Sequence, residues 1–396
     1  MSINRFGASA FHLASTRTVL FFRKQIIESG FSVPGVDLLA LPVESRPEVL
    51  RMLKPFAWIA VGLLGSGLAA GAWCAEPTPL YGAHGVSPQA VLQGTLGSCY
   101  FHASIAALAK ATPEKLRAAI RENPGGGYRV HFVDGPEEVV FPEDVAFARD
   151  HIYDRSEGTW VAVLMRGYAQ RALRQSLVHA IDKSDLIPGY VKPIALSFLN
   201  QSDQILIGYD RAIRAVVQQD GVIDKAKLKT KLATQLSALG VPDSAAQMLG
   251  GFMEDRGFFD SIALTVEENG EVFGAYKSLG QGGVPVRVFE AFQGKGFSGQ
   301  VADKKLTLEQ LRRLGSSHIA MTAGSWGTPT GEGYSSADWW VASHCYTVLS
   351  YDDSAQTVTL RNPWGAKPDP DGVFTIPFAT FVNAFEFYTY SQPTGF

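Results

Sequence analysis

Four residues of this chain have the types and the spacing that acyl chemistry at a thiol requires. Cys99 follows a glycine-containing loop, and Gln93 lies six residues before it. His344 lies far downstream, and Asn362 follows it after eighteen residues. In such a set the thiolate attacks an acyl carbon, the imidazole moves the proton, and a third group orients the imidazole. The pattern therefore predicts nucleophilic catalysis by Cys99.

The sequence around Cys99 indicates how its thiol would be activated. Ser98 is a suitable N-cap and an apolar run follows, so Cys99 is expected in the first turn of a helix. The positive end of a helix lowers the pKa of a thiol, and a neighbouring His344 imidazolium lowers it further. Gln93 is expected to donate an N–H to the developing oxyanion, together with the Cys99 backbone N–H.

The remaining parts of the predicted site come from short motifs. Asn362 is expected to accept from, or donate to, the second ring nitrogen of His344. Trp364 is expected to shield that hydrogen bond from water. Gly94 and Gly97 are expected to let the loop before Cys99 bend tightly and bring backbone close to a substrate.

Other candidate ligands are interpreted as structural. Cys345 is expected to be an inert strand residue, and the acidic pairs at 352–353 and 369–371 are interpreted as turns, so no metal site is predicted. The sequence contains no HExxH, paired CxxC, EF-hand or Gly-rich phosphate motif. Three histidines lie in no motif that indicates a chemical role and are interpreted as structural or surface residues: His102, His131 and His151.

Composition limits the class of protein. The 396 residues are 46% hydrophobic and 18% charged, so the chain can bury a large core. A net charge of -3 gives no electrostatic reason to expect nucleic acid as a partner. Three cysteines are too few for a disulfide framework.

An apolar, uncharged run at 56–73 follows several basic residues and predicts export. Because a signal begins near the chain start, Met52 is a candidate initiator, with 1–51 a non-native extension and 52–75 a signal peptide. The product would be secreted or periplasmic. The alternative keeps Met1 and makes the run a membrane anchor, with 1–51 in the cytoplasm and the catalytic part outside it.

Hydrophobic periodicity divides the rest of the chain into a helical first half and a strand-rich second half. Helices are predicted at 99–111, 112–123, 157–174, 203–219, 225–239, 245–256, 306–314 and 377–385. Strands are predicted at 128–133, 138–141, 318–323, 345–351, 357–361, 372–376 and 387–390. These elements predict an α+β fold of two packed lobes.

Four segments resemble the calpain family of the papain superfamily. The stretch 93–109, QGTLGSCYFHASIAALA, resembles its catalytic-cysteine segment, and 343–365, SHCYTVLSYDDSAQTVTLRNPWG, resembles its His-to-Asn segment. The stretches 158–170 and 282–294 are similar to two further family segments. The resemblance covers about 90 to 390, with an interruption.

The resemblance implies a papain-like two-lobe fold over 76–396, with a helical lobe and an antiparallel β lobe. It also implies endopeptidase activity on protein or peptide substrates. Cys99 would be the nucleophile, His344 the general base and acid, Asn362 the orienting residue and Gln93 the oxyanion donor. Calcium is a possible cofactor by this resemblance, but no calcium ligand can be matched position by position.

The chain also departs from the family. Ser343 and Cys345 replace the Gly and Ala that flank the family's histidine, and Ser98 and Tyr100 replace its Asp and Trp. The 245 residues from Cys99 to His344 exceed the ~130–150 of a simple papain-like layout, which predicts a helical insertion at about 175–281. Two alternatives remain open: a non-catalytic binding or scaffold protein on this fold, and an acyltransferase that uses the same triad.

Overall fold

A computed structural model describes residues 78–124, 126–183, 225–239, 275–314, 318–327, 337–365 and 371–391, and shorter groups between 192 and 251. The predicted extension and signal or anchor, residues 1–75, lie outside the described residues, as do Asp369 and Pro370 of the predicted turn at 369–371. Among the helices of the described ranges, none is both long and apolar enough to cross a membrane.

The described elements mix helices with antiparallel strands, which confirms the α+β expectation. A short 3-10 helix, Pro88–Ala90, precedes the first α-helix. The helices are α1 Cys99–Ala111, α2 Pro113–Ala119, α3 Pro142–Asp150, α4 Trp160–Lys183, α5 Lys225–Ala238, α6 Ala275–Gly280, α7 Pro285–Gln293, α8 Lys304–Arg313 and α9 Phe378–Ala384. The strands are β1 Ile120–Glu122, β2 Tyr128–Val130, β3 Glu138–Val140, β4 Gly296–Gln300, β5 Ala320–Ser325, β6 Cys345–Asp352, β7 Thr357–Arg361, β8 Val373–Pro377 and β9 Phe385–Ser391.

The chain divides into two compact units. One comprises Ala70–Leu173 and Ala275–Phe396 and contains every predicted site residue. The other includes Arg174–Gly274, and its described part contains α5. The first unit therefore resumes at Ala275, six residues before the end of the predicted insertion at 281.

The strands of the first unit form two antiparallel sheets. A small sheet has the order β1-β2-β3, and a six-stranded sheet has the order β4-β9-β5-β6-β7-β8. One face of the larger sheet packs on a cluster that includes Tyr346, Val348, Phe381 and Phe385. Because strand side chains alternate between faces, Thr347, which lies between Tyr346 and Val348, points to the other face.

Helix α1 covers that other face. Ten of its residues, from Tyr100 to Ala109, are buried, and four of these are alanines. A helix that is apolar on all sides belongs in an interior, and small side chains let it approach the strands closely. The Thr347 hydroxyl of β6 donates to the Ala103 carbonyl of α1 at 2.8 Å, so helix and strand are fastened at one point.

Ser98 and Thr112 stand at the N-cap positions of α1 and α2, as predicted, but neither side chain caps its helix, because each hydroxyl bonds another side chain. The Ser98 hydroxyl bonds His102 Nδ1 at 3.0 Å, and the Thr112 hydroxyl accepts from Gln293 Nε2 at 2.6 Å. Pro113 does occupy the first turn of α2, as predicted.

Sequence periodicity also placed some element bounds wrongly. The predicted helix at 112–123 ends at Ala119, because Ile120 pairs with Val130 and the chain enters β1. Tertiary pairing overrides local propensity here. Helices α3 and α7 and strand β4 were not predicted, whereas β7 has the predicted bounds Thr357–Arg361.

Candidate functional site

Cys99 is the first residue of α1, where the unsatisfied N–H groups of a helix carry partial positive charge. The residue is half-buried, in contrast to the fully buried helix that follows it. A thiol in this position is accessible to a reagent and is electrostatically favoured as a thiolate. This much agrees with the expectation from the sequence.

Strand β6 brings His344 to the same place. Thr347 and Cys345 lie on one face of β6, and Ala103 and Cys99 lie one helical turn apart on α1. Two residues of strand span about 6.6 Å and four residues of helix about 6 Å. The bond between Thr347 and Ala103 therefore sets the start of the strand beside the start of the helix.

Backbone contacts hold the loop that carries His344. The His344 N–H donates to Ser325 Oγ at 3.0 Å, and the Tyr346 hydroxyl accepts from the Val341 N–H at 2.8 Å. Ser343 has φ 50, in the left-handed region that favours glycine. His344 and Cys345, the two residues that follow this bend, both interact with the Cys99 thiol.

The contacts of Asn362 define the state of the His344 ring. Asn362 Oδ1 lies 3.0 Å from His344 Nε2 and also accepts from the Trp364 backbone N–H at 3.0 Å. Because a backbone N–H can only donate, the atom facing it must be the carbonyl oxygen. His344 Nε2 therefore carries a proton and donates to Asn362. The sequence had left both directions open.

With Nε2 engaged, the other ring nitrogen of His344 is left for Cys99. A side-chain hydrogen bond between His344 and Cys99 is one cause of the lowered pKa of the thiol. His344 itself is buried, and the Trp364 ring lies against it, with centroids 4.4 Å apart at 44°. Trp364 thus covers the imidazole from outside, although its own side chain is exposed.

The largest effect on the pKa of Cys99 comes from a residue that the sequence did not assign to the site. A hydrogen bond from the Cys345 thiol lowers the pKa of Cys99 to about 4, with the His344 hydrogen bond and charge adding to it against the opposing effect of burial. The pKa of the Cys345 thiol is raised well above its usual range by the same hydrogen bond and by its burial. One negative charge is shared by two sulfurs, and the helix N-terminus and imidazole favour Cys99 as its holder.

Cys345 is a buried residue of β6, as the sequence predicted, but its thiol is not inert, because it interacts with Cys99. Its position beside His344 was visible in the sequence. Strand alternation directs neighbouring side chains to opposite faces, so adjacency alone did not predict that both would interact with one sulfur.

The loop that carries Gln93 is attached on two sides. The Gln93 N–H donates to the Pro363 carbonyl at 2.8 Å, which joins this loop to the turn that contains Asn362. Arg361 Nη2 donates to the Val91 carbonyl at 2.7 Å and adds a second link. The buried Gln93 side chain donates one N–H to the Leu96 carbonyl at 2.7 Å, and an amide nitrogen carries a second hydrogen.

Gly94 and Gly97 serve close packing rather than unusual torsion angles, since neither has a positive φ. A Cβ on Gly94 would lie 1.7 Å from the Ile152 carbonyl oxygen, and one on Gly97 would lie 2.4 Å from that of Gly280. Ile152 has φ 56, which is strained for a β-branched residue. The loop before Cys99 therefore fits against backbone that leaves no room for a side chain.

His102 belongs to a buried polar network beneath this loop, where the sequence analysis had given it no setting. Its ring bonds Ser98 and lies 3.4 Å from Asp154 Oδ1, and Asp154 also accepts from Ser156 and Arg149. The network ties the residue before Cys99 to the segment that flanks Gln93. His131 and His151 lie at the surface or partly buried, as expected.

No group of three or more His, Cys, Asp or Glu side chains converges as metal ligands within the described part of the chain.

Taken together, the structure brings Cys99, His344 and Asn362 into one hydrogen-bonded chain, with Trp364 over the imidazole. Gln93 lies on the loop that is fastened to the Asn362 turn.

Comparison with known proteins adds little. No family model matches the chain, and no curated protein matches it. Among solved structures the chain is similar to PepW from Lactobacillus rhamnosis HN001 (DR20), at 10% identity over 90% of each chain and with a TM-score of 0.28. A similarity this low supports no inference.

The loop packing predicts that Gly94→Ala destabilises the protein. The added methyl group must displace the Ile152 backbone, and overpacking of this kind costs about 1–3 kcal/mol. The free energy of unfolding should be measured in urea by circular dichroism. The matched control is Gly135→Ala, where a Cβ meets nothing within 4 Å and the expected change stays within about 0.5 kcal/mol. Equal losses in both variants would contradict this account of Gly94.

The thiol cluster predicts the pH dependence of alkylation. Since the pKa of Cys99 is lowered to about 4, the thiolate persists above that pH, and iodoacetamide should react at a rate that is already constant at neutral pH. The rate should fall only as pH drops through about 4. Cys345→Ala removes the largest cause and should move the inflection upward.

This measurement is best made in a Cys74→Ala background, so that one fewer thiol contributes. The denatured protein gives the reference inflection, near about 8.5 for a free thiol. An inflection at that value in the folded protein would show that Cys345 and His344 do not activate Cys99.

Proposed function

We propose that this chain is an exported, calpain-like cysteine endopeptidase that hydrolyses peptide bonds in proteins. The proposal includes a papain-like two-lobe fold, with α1 in a helical lobe and β4 to β9 in an antiparallel β lobe. One observation carries it: the half-buried thiol of Cys99 shares a hydrogen bond with His344, whose other nitrogen donates to Asn362 at 3.0 Å.

In the first step, the Cys99 thiolate attacks the carbonyl carbon of the scissile peptide bond. A thiolate that forms at about pH 4 is fully ionised at neutral pH, so no proton must leave the thiol during the attack. His344 carries that proton as imidazolium and transfers it to the departing amine. The Nε2–H bond to Asn362 keeps the ring in the orientation that this transfer needs.

In the second step, water hydrolyses the thioester. The neutral His344 now accepts a proton from the attacking water, and Cys99 leaves as the thiolate. The Cys345 thiol donates to the Cys99 sulfur, so the same hydrogen bond that stabilises the resting thiolate also stabilises the leaving group.

The oxyanion of each tetrahedral intermediate needs donors close to Cys99. The Cys99 backbone N–H lies at the open end of α1, where the N–H groups have no acceptor within the helix. The second amide hydrogen of Gln93 is the other donor that we propose. Because the Gln93 loop is bonded to Pro363, this donor keeps its position relative to Asn362.

Exposed apolar side chains beside the site favour a polypeptide substrate. The Ile152 carbonyl packs on Gly94, in the loop before Cys99. Val284 comes directly after Gly283, which packs on the Tyr100 ring. The Trp364 ring lies on His344. These three side chains are each more than 40% exposed, at 51%, 51% and 41%. Apolar surface around a polar centre is typical of sites that bind side chains of a peptide.

Cys99→Ala should abolish hydrolysis of a casein or peptide-library substrate while circular dichroism stays unchanged. Triad nucleophiles act as a unit, so the loss should reach about 10⁴-fold or more. Cys74→Ala is the matched control, because it removes a thiol outside the described site and should retain activity. Equal hydrolysis by the Cys99 variant would refute the assignment.

Two other outcomes would favour the alternatives. Amine incorporation without cleavage would identify an acyltransferase. A Cys99 thiol that reacts with iodoacetamide only after denaturation would identify a binding or scaffold protein.

The export part of the proposal rests on the apolar run at 56–73. N-terminal sequencing of the protein from its native source should find a mature terminus just after Cys74 or Ala75. Cleavage after Cys74 fits better, because Ala72 then stands where a small residue is preferred, whereas cleavage after Ala75 puts Trp73 there. A full-length chain that keeps its membrane anchor would instead begin at Met1 and sediment with membranes. An intact Met1 in the soluble fraction would overturn export.

A further inference from the structure

We propose that Cys99 and Cys345 form a reversible intramolecular disulfide, with a peroxide as oxidant, that turns the site off. The inference rests on the proposed function, because it describes the control of the same nucleophile. It assigns to Cys345 a second task beyond its hydrogen bond, namely that of a resolving thiol.

The fold brings the two sulfurs together independently of any titration. Both cysteines are free thiols, Cys99 half-buried and Cys345 buried. The Thr347–Ala103 bond fixes β6 on α1 two residues after Cys345 and one helical turn after Cys99. The Gln93 N–H donates to the Pro363 carbonyl, and Asn362 bonds His344, so the segments that carry the two cysteines are also joined on the side of the Gln93 loop. A disulfide requires the sulfurs to close to about 2.05 Å, which side-chain rotation has to supply.

The two thiols also differ in accessibility and in protonation, as a peroxide-sensitive pair requires. Cys99 is accessible and ionised, so it is the sulfur that a peroxide meets. Cys345 is buried and keeps its proton, so it is protected from the same reagent. A low-pKa sulfur beside a second thiol is the arrangement in which a sulfenic acid is resolved before further oxidation.

The reaction balances with the residues present. The Cys99 thiolate attacks one peroxide oxygen, the S–O bond forms, the O–O bond breaks, and the released hydroxide takes the proton of the His344 imidazolium. Neutral His344 then accepts the proton of Cys345, whose sulfur attacks the Cys99 sulfenic acid. The S–S bond forms, the S–O bond breaks, and hydroxide leaves with the His344 proton as water. Two thiols lose two electrons, and one peroxide becomes two waters.

The disulfide would block the site completely. The Cys99 sulfur would no longer be a thiolate and could not attack a carbonyl carbon. Helix α1 would also be covalently joined to β6. An exported protein meets an oxidising environment, where such a bond persists until a thiol reductant attacks it.

The test uses the full chain with Cys74→Ala, treated with an equimolar amount of hydrogen peroxide and then with N-ethylmaleimide. Non-reducing peptide mass mapping should find the Cys99 and Cys345 peptides linked, with neither alkylated. Peptidase activity should fall in proportion to the linked fraction, and dithiothreitol should restore it in full.

Cys345→Ala and Cys345→Ser are the variants that remove the resolving thiol. In both, one equivalent of peroxide should leave Cys99 as the sulfenic acid, and a second equivalent should carry it to the sulfinic acid, which dithiothreitol does not reverse. The mapping of the parent protein needs neither variant to fold. Recovery of alkylated Cys345 beside sulfinic Cys99 in the parent would overturn the proposal.

These readouts separate the two proposals. A linked peptide in a protein that shows no peptidase activity when reduced would leave the disulfide standing and remove the peptidase. Peptidase activity without a linked peptide would remove the disulfide alone.

Discussion

The contact between helix α1 and strand β6 is the constraint on which the whole site depends. The helix is buried on all sides and rich in alanine, so it can lie close against the sheet, and the Thr347 hydroxyl fastens it to the strand at Ala103. That one bond sets the register between two segments almost 250 residues apart in the chain. Since Cys99 opens the helix and Cys345 opens the strand, the register decides which groups surround the sulfur.

Once the sulfur is in place, its chemistry follows from sharing a single negative charge. Helix dipole, imidazole and a neighbouring thiol all favour the charge on Cys99, and only burial opposes it. The more deeply buried sulfur remains protonated and becomes a donor. The same asymmetry that prepares Cys99 for attack on an acyl carbon also prepares it for attack on a peroxide, because both reactions begin with a thiolate that a reagent can reach.

The sequence predicted the elements that follow from local chemistry, namely the helix that starts at Cys99, the strand at Thr357–Arg361, and the types and order of the triad candidates. It failed where a competing side-chain partner decides. Ser98 and Thr112 have the right side chains for caps, yet His102, four residues on, and the distant Gln293 bond their hydroxyls. The role of Cys345 was missed because strand alternation separates neighbouring side chains, whereas Cys99 interacts with both His344 and Cys345.

Two residues beside the site have strained backbone torsion angles. A serine at φ 50 and an isoleucine at φ 56 each lie in a region that costs about 1–2 kcal/mol per residue for most side chains. Each strained residue lies beside a backbone group that orients the site: Ser343 precedes His344, and the Ile152 carbonyl accepts from the Thr95 N–H at 2.8 Å. Relaxing Ser343 would redirect the chain that enters His344 and β6. The Ser325 hydroxyl accepts from the His344 N–H and the Tyr346 hydroxyl accepts from the Val341 N–H, and these bonds oppose that relaxation. The fold therefore offsets local strain with contacts that hold the segment carrying the imidazole.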